Sequence, residues 1–406
     1  MLCTSTAVRA VASETRLLHK IGGSNLAILL AAIFLIACAE ELWWRFIPNY
    51  LRVLGASVFI VAVYGAFKDF LDAIYQFPGG LLTHRLGYRR SLVIFNSLAI
   101  LGYAAFASAR SWLVVVAALP LVMAWQSFSL PATFSLIGGT LPKGERSVAF
   151  AYQSIARRIP IVIAPIAGGI IITRFGTLSG TRLAILLGIS IAVVALIVQS
   201  VRYRVQPAPK NSVRIGALLR DALELRPRLK VLLTTDVFVR FGQGIAEIFV
   251  VLYVIRIVGV SAATFGWLVG LAMATSIAVY IPVSRIADRR RREPWVLLTY
   301  AFFALFPLLI ALSHNAWMLG AAFVAMGLRE IGEPPRKAMI VDLAREDRRS
   351  VDVGAYYLVR GVAVFPASLV GGALWKLAPS LTFVAAGTVA AIGTALFGIT
   401  MLRRST

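Results

Sequence analysis

The strongest constraint on this chain is a series of apolar runs about as long as a lipid bilayer is thick. Residues 92–109, 183–200 and 379–402 each pass without a single Asp, Glu, Lys or Arg. A helix needs about 20 mainly apolar residues to cross a hydrocarbon layer of roughly 30 Å. By that measure six spans fall at 26–47, 57–82, 92–109, 112–136, 148–173 and 183–200. A polar break at 201–230 follows, then six more at 231–255, 262–284, 295–313, 316–341, 351–374 and 379–402. Lipid cannot satisfy a backbone N–H or C=O, so each span is expected as a helix, and no alternating barrel-strand pattern is present. The expected fold is an all-α integral membrane protein with twelve transmembrane helices. Its expected organisation is an N-terminal six-helix bundle at 1–200, a basic linker at 201–230 and a C-terminal six-helix bundle at 231–406.

Composition agrees with that reading. The chain is 59% apolar and 15% charged, whereas soluble domains run near 45–50% and about 25%. Its formal charge of +23 invites a nucleic-acid partner, because Lys and Arg neutralise phosphates. The distribution speaks against one. With the N-terminus placed in the cytoplasm, 26 of the 41 basic residues fall in cytoplasmic segments and six in outer loops. Basic residues collect on the inner side of membrane proteins, so the charge sets orientation, with both termini cytoplasmic in a cell (inner) membrane. Two cysteines and three histidines supply neither a disulfide framework nor a metal cluster, so no cofactor or metal is expected. No cleavable signal peptide is expected in the first 24 residues.

The chain also repeats itself at half its length. At an offset of 203, Pro131 falls on Pro334, Arg146-Ser147-Val148 on Arg349-Ser350-Val351, Arg157 on Arg360, and Gly168-Gly169 on Gly371-Gly372. At 204, Arg52 meets Arg256, Gly55 meets Gly259 and Arg85 meets Arg289. Repeats of this length in a polytopic chain point to two halves related by a pseudo-two-fold axis along the membrane normal.

Two motifs give this pattern a family likeness. Between spans two and three the chain reads Gly80-Leu81-Leu82-Thr83-His84-Arg85-Leu86-Gly87-Tyr88-Arg89-Arg90. This resembles the G-x-x-x-D-R-x-G-x-R-R loop of the major facilitator superfamily, with His84 at the acidic position. The matching loop of the second half keeps the acid, as Asp288-Arg289. The fifth span ends in Ala164-Pro165-Ile166-Ala167-Gly168-Gly169, similar to the G-P-x-x-G-G motif associated with antiporters of that superfamily. The resemblance implies the twelve-helix fold, alternating access between halves, and a latch at the loops carried by Gly80, His84, Arg85, Gly87, Arg89, Asp288 and Arg289. It marks Pro165, Gly168 and Gly169 as the helix-five motif, for which a kink with close helix packing is an equal reading. A carboxylate suits a helix N-terminus and a protonated His does not, so Asp288 is the better latch acid.

An ionisable group inside a bilayer costs on the order of 3 kcal/mol or more and marks function by default. Spans three, six, eight, nine and twelve hold none. The candidates for a cavity or proton-coupling site are Glu40, Glu41 and Arg45 in span one, Asp69 in span two, Gln126 in span four and Arg157 in span five. Further candidates are Asp236, Arg240 and Glu247 in span seven, Arg329, Glu330 and Glu333 in span ten, and Arg360 in span eleven. Spacing at i,i+4 predicts the pairs Glu41–Arg45, Lys68–Asp72 and Asp236–Arg240, and a ladder Arg329–Glu333–Lys337 along span ten. Glu40 points away from its neighbours and is expected without a local partner. Arg157 and Arg360 are expected to face each other across a pore. Asp342 and Asp352 read as residues near helix ends, and Trp43, Trp44 and Trp125 as packing or interface aromatics.

The function expected is secondary transport of a small organic solute, as proton-coupled efflux by antiport, in a monomer whose partners are lipid, solute and protons. The alternative is a symporter or exchanger of an anionic metabolite held by Arg157, Arg329 and Arg360, since Arg binds carboxylate bidentately. A receptor or scaffold is a third reading. A membrane-embedded enzyme would need a nucleophile–base pair or metal cluster, and the spacing offers neither.

Overall fold

A computed structural model describes residues 25–140, 146–202, 225–287, 291–345 and 349–402. The first half contains α1 (Asn25–Glu41), α2 (Ile47–Val53), α3 (Val58–Leu86), α4 (Tyr88–Ser108), α5 (Trp112–Thr140), α6 (Arg146–Phe175) and α7 (Thr177–Arg202). The second contains α8 (Pro227–Glu247), α9 (Val250–Leu252), α10 (Ala262–Ala287), α11 (Glu293–Leu312), α12 (Ala316–Leu328), α13 (Glu333–Leu343), α14 (Arg349–Val364), α15 (Ala367–Leu377) and α16 (Pro379–Phe397). The pairs α1–α2, α8–α9, α12–α13 and α14–α15 are each one membrane pass interrupted by a turn. The result is an all-α membrane fold of twelve passes in two pseudo-symmetric halves, and the described residues contain no strand. Most of the expected linker, residues 203–224, lies outside the described residues.

Local chemistry sets the helix starts. Pro227, Pro294, Pro334 and Pro379 each stand in the first turn of their helix, where the missing N–H costs nothing. Asn315 caps α12 by accepting from the Met318 N–H at 3.0 Å. The turns after α2 and α9 hinge on Gly55 and Gly259, at φ 87° and 82°, a left-handed region that only glycine occupies cheaply. These are the two glycines that the sequence repeat superposes.

The same two-fold order governs the packing. In the first half a Cβ on Gly168 would lie 1.8 Å from the Leu42 carbonyl oxygen. In the second, a Cβ on Gly371 would lie 2.1 Å from the Ile245 carbonyl oxygen, and Leu42 and Ile245 are themselves 203 residues apart. Across the halves, Gly169 is set against the Ala262 carbonyl and Gly372 against the Ala62 side chain. Small residues let membrane helices approach to backbone contact. The two halves therefore meet along two seams, α6 against α10 and α3 against α14 and α15. Helices α7, α11 and α16 turn leucines, isoleucines and valines outward (Leu186, Ile197, Leu298, Leu312, Ile392), as lipid-facing helices must.

Candidate functional site

Between the halves lies a cavity of about 140 Å³. Trp44, Arg45, Tyr64, Lys68 and Asp69 line it from the first half, and Glu247, Phe265 and Phe323 from the second. It sits between the bilayer middle and the face opposite Asn25 and Leu402, the outer limits of the first and twelfth passes. Towards that opposite face Phe46 meets Phe265 edge-on at 5.5 Å, and Arg256 donates to the Asn49 side-chain oxygen at 2.7 Å. Ser368 donates to the Ala62 carbonyl at 3.0 Å, and Lys376 stands over the Phe59 ring at 4.9 Å. All four contacts cross from one half to the other and hold the halves together on this side. Near the helix midpoints Arg158 bonds Ser276 at 2.7 Å and Glu330 at 3.3 Å, again across the halves.

The expected pairs Glu41–Arg45 and Asp236–Arg240 form, at 2.8 and 3.7 Å. Lys68 bonds Asp69 at 2.8 Å. The ladder along span ten does not form, because Arg329 to Gly332 leave the helical path and separate α12 from α13. Arg329 then reaches Glu247 through both terminal nitrogens at 3.3 Å, while Glu333 pairs with Arg240 and, at 2.8 Å, Arg336.

Glu40 has no partner on its own helix, as its spacing predicts. It is buried and has partners, both neutral and both on other helices: the Tyr103 hydroxyl at 2.6 Å and the Gln126 amide at 3.1 Å. Arg157 is within Coulombic range of Glu40 but outside its hydrogen-bond shell. Arg360, expected to face Arg157, bonds Asp236 of its own half at 3.3 Å. Asp352, near the start of α14 as expected, is fully buried and takes Arg345 at 2.6 Å. Asp342 is exposed and pairs with Arg292. Trp43 and Trp125 are buried packing residues, whereas Trp44 belongs to the cavity wall. Gly80 falls within α3; the side chains of His84 and Arg85 and all of Asp288 and Arg289 lie outside the described residues. Arg89 bonds the Ser200 carbonyl within its own half, and Gly87, at φ 76°, turns the chain between α3 and α4.

The second half holds a buried ionic knot that reaches well beyond the Asp236–Arg240 pair announced by spacing. Asp236 accepts from Arg336 at 2.7 Å, from the Tyr356 hydroxyl at 2.8 Å and from the Tyr300 hydroxyl at 3.2 Å, besides Arg360 and Arg240. The knot ties α8, α11, α13 and α14 together. Its counterpart at offset 203 is the apolar Ile33, so the two halves are built alike and cohere differently.

The offset exposes a second inversion. Glu40, Tyr103 and Gln126 correspond to Gln243, Phe306 and Arg329. One half carries an acid held by a phenol and an amide. The other carries a guanidinium stacked over Phe306 at 5.6 Å and over Phe303 at 5.1 Å, with Gln243 donating to Glu247 at 3.0 Å. Tyr103 was not legible as a site residue by type, but the repeat places it opposite Phe306. Among the described residues no three His, Cys, Asp or Glu side chains converge as metal ligands.

A profile of the Major Facilitator Superfamily matches residues 29–238 and 232–406. The chain belongs to that superfamily. Solved structures agree on the fold: a POT family transporter in complex with 5-aminolevulinic acid superposes with TM-score 0.75 at 13% identity, covering 94% of this chain and 96% of that one. The nucleoside transporter NupG gives 0.75 at 12% identity over 93% and 99% of the two chains. The human organic anion transporter MFSD10 gives 0.65 at 14% over 92% and 98%. An uncharacterised MFS-type transporter of Methanocaldococcus jannaschii is 30% identical over 113 residues, which span 28% of either chain. This superfamily member is a multi-pass membrane transporter and not an enzyme, and its cavity lies where the two halves meet.

Proposed function

We propose that this protein exchanges protons for a small organic solute, the solute in the central cavity and the proton on Glu40. The observation that supports this reading is the partner set of Glu40. Asp236, Glu247 and Glu333 each face guanidinium groups, so protonating any of them strands a buried cation. Glu40 is held by two uncharged donors and can take up or release a proton without breaking an ion pair. The Tyr103 hydroxyl can hydrogen-bond to either form.

Export is the direction this reading takes, by the likeness of Ala164–Gly169 to the antiporter motif. The termini face is read as cytoplasmic from the 26 basic residues on that side, in an inner membrane. Residues 1–200 and 231–406 act as the rocking bundles and 201–230 as their tether. Each chain carries a whole cavity, which suits a monomer. The geometry gives less support to an anion site made of Arg157, Arg329 and Arg360. Arg329 is engaged by Glu247 and Arg360 by Asp236.

Proteoliposomes with an imposed pH gradient test the reading. Glu40→Gln is expected to abolish gradient-driven solute movement and to retain solute–solute exchange. Gradient-driven movement at the wild-type rate in Glu40→Gln removes Glu40 from the coupling.

A further inference from the structure

We infer that the central cavity selects a small zwitterion, taking its anionic end on Arg45 and Lys68 and its cationic end on Glu247. This rests on reading the cavity as the solute site. The charged lining consists of Arg45, Lys68, Asp69 and Glu247, two of each sign. A solute with a net charge would leave that balance broken in a poorly solvated space, where uncompensated charge is costly. A solute with both charges preserves it.

The placement of the four groups points the same way. Both cations belong to the first half, and Glu247 belongs to the second. Arg45 and Lys68 lie within Coulombic range of Glu247. A solute bearing opposite charges a few atoms apart would bridge the halves, while a singly charged one would engage a single side. Recognition and closure would then be one event, since a solute can bias a two-state equilibrium only by binding one state better. In this conformation each group rests on a chain partner: Arg45 on Glu41 at 2.8 Å, Lys68 on Asp69 at 2.8 Å and Glu247 on Arg329 at 3.3 Å. A carboxylate offers about four acceptor positions, so Glu247 can receive an ammonium while keeping Arg329.

Tyr64 adds an independent sign. It lines the cavity, it is buried, and its hydroxyl has no hydrogen-bond partner. Buried hydroxyls are generally satisfied, and a polar solute beside Lys68 and Asp69 would satisfy this one. Size and walls complete the description. A space of about 140 Å³ is less than half the ~300 Å³ at which drug-sized pockets begin. Trp44, Phe265 and Phe323 suit a short apolar body between the two charged ends.

Purified protein tests this with matched probes in a thermal-shift titration. L-phenylalanine and γ-aminobutyrate are compared with their amides, which are net cations, and their N-acetyl derivatives, which are net anions. At least one zwitterion is expected to stabilise the protein while both of its derivatives fail. Tyr64→Phe removes a hydroxyl that bonds nothing in the chain and is expected to leave the fold intact and weaken that zwitterion about tenfold, the loss of one hydrogen bond to a charged group. Glu247→Gln is expected to abolish the shift. A derivative that binds as well as its parent, or a zwitterion shift unchanged by both substitutions, overturns the proposal. If no zwitterion binds and a singly charged or uncharged solute binds with Tyr64 dependence, the substrate class falls and the transport reading stands. If solute flux occurs with no dependence on Tyr64 or Glu247, the cavity reading falls with it.

Discussion

Arg158 on α6 and Glu330 in the turn before α13 form an ion pair at 3.3 Å that joins the two halves near their midpoints. Both side chains are between a fifth and a quarter exposed, so the pair is worth about 1 kcal/mol rather than the several of a sealed bridge. That suits a contact that must break in each cycle. Glu330→Gln should shift the resting equilibrium about fivefold towards separation on the termini side. Alkylation of Ala73→Cys, which faces Gly361 across the halves, reports it once Cys3 and Cys38 are replaced. An unchanged alkylation rate rules out a gating role for the pair.

Gly169 on α6 meets the Ala262 carbonyl so closely that a Cβ would lie 2.3 Å from the oxygen. Gly169→Ala must push α6 and α10 apart, at a cost of about 1–3 kcal/mol for overpacking. The melting temperature in detergent should fall accordingly. Gly320, with nothing within 4 Å of its would-be Cβ, is the control. Gly320→Ala should be neutral or stabilising by up to about 1 kcal/mol, the helix propensity difference. Equal effects at both positions would contradict the close-contact account.

Asp236 is buried and balances Arg336, Arg360 and Arg240 together with Glu333. Removing its charge leaves an excess of buried guanidinium, which costs on the order of 3–5 kcal/mol. Asp236→Asn should lower the melting temperature far more than Glu41→Gln, whose partner Arg45 is partly exposed. Adding Arg360→Gln to Asp236→Asn should recover part of the loss. A double variant less stable than the single one would show that the two charges do not act as a pair.

Trp317 opens α12 with 90% of its surface exposed, at the face opposite the termini. Tryptophan at that position anchors a helix at the lipid headgroups. In reconstituted protein, Trp317→Phe should remove part of the quenching of total tryptophan fluorescence by lipids brominated near the headgroup. Quenching that is unaffected by the substitution would place Trp317 away from lipid.

The number of spans and the pseudo-symmetry were legible because each has a one-dimensional signature. Apolar length gives the spans, and the 203-residue offset gives the pairing of Gly168 with Gly371. The i,i+4 pairs Glu41–Arg45 and Asp236–Arg240 followed from helix geometry alone. What failed did so where the helix itself fails. The unwinding at Arg329–Gly332 rotates Arg329 away from Glu333 and onto Glu247, and no spacing rule survives a break in the helix that it assumes. Glu40 was singled out correctly as different from its neighbours. Its partners Tyr103 and Gln126 lie 63 and 86 residues away, a relationship only the folded chain establishes.

The α6–α10 seam has a further consequence. Gly169 and Gly266 bring main chain against main chain, at Ala262 and Pro165. Interlocked side chains would have to change rotamer before such a surface could part, and each one would add its own barrier. Where backbone rides on backbone there are no teeth to disengage, and the seam works as a bearing. Its resistance to motion is smooth, and the speed of switching is left to the few polar contacts at its ends.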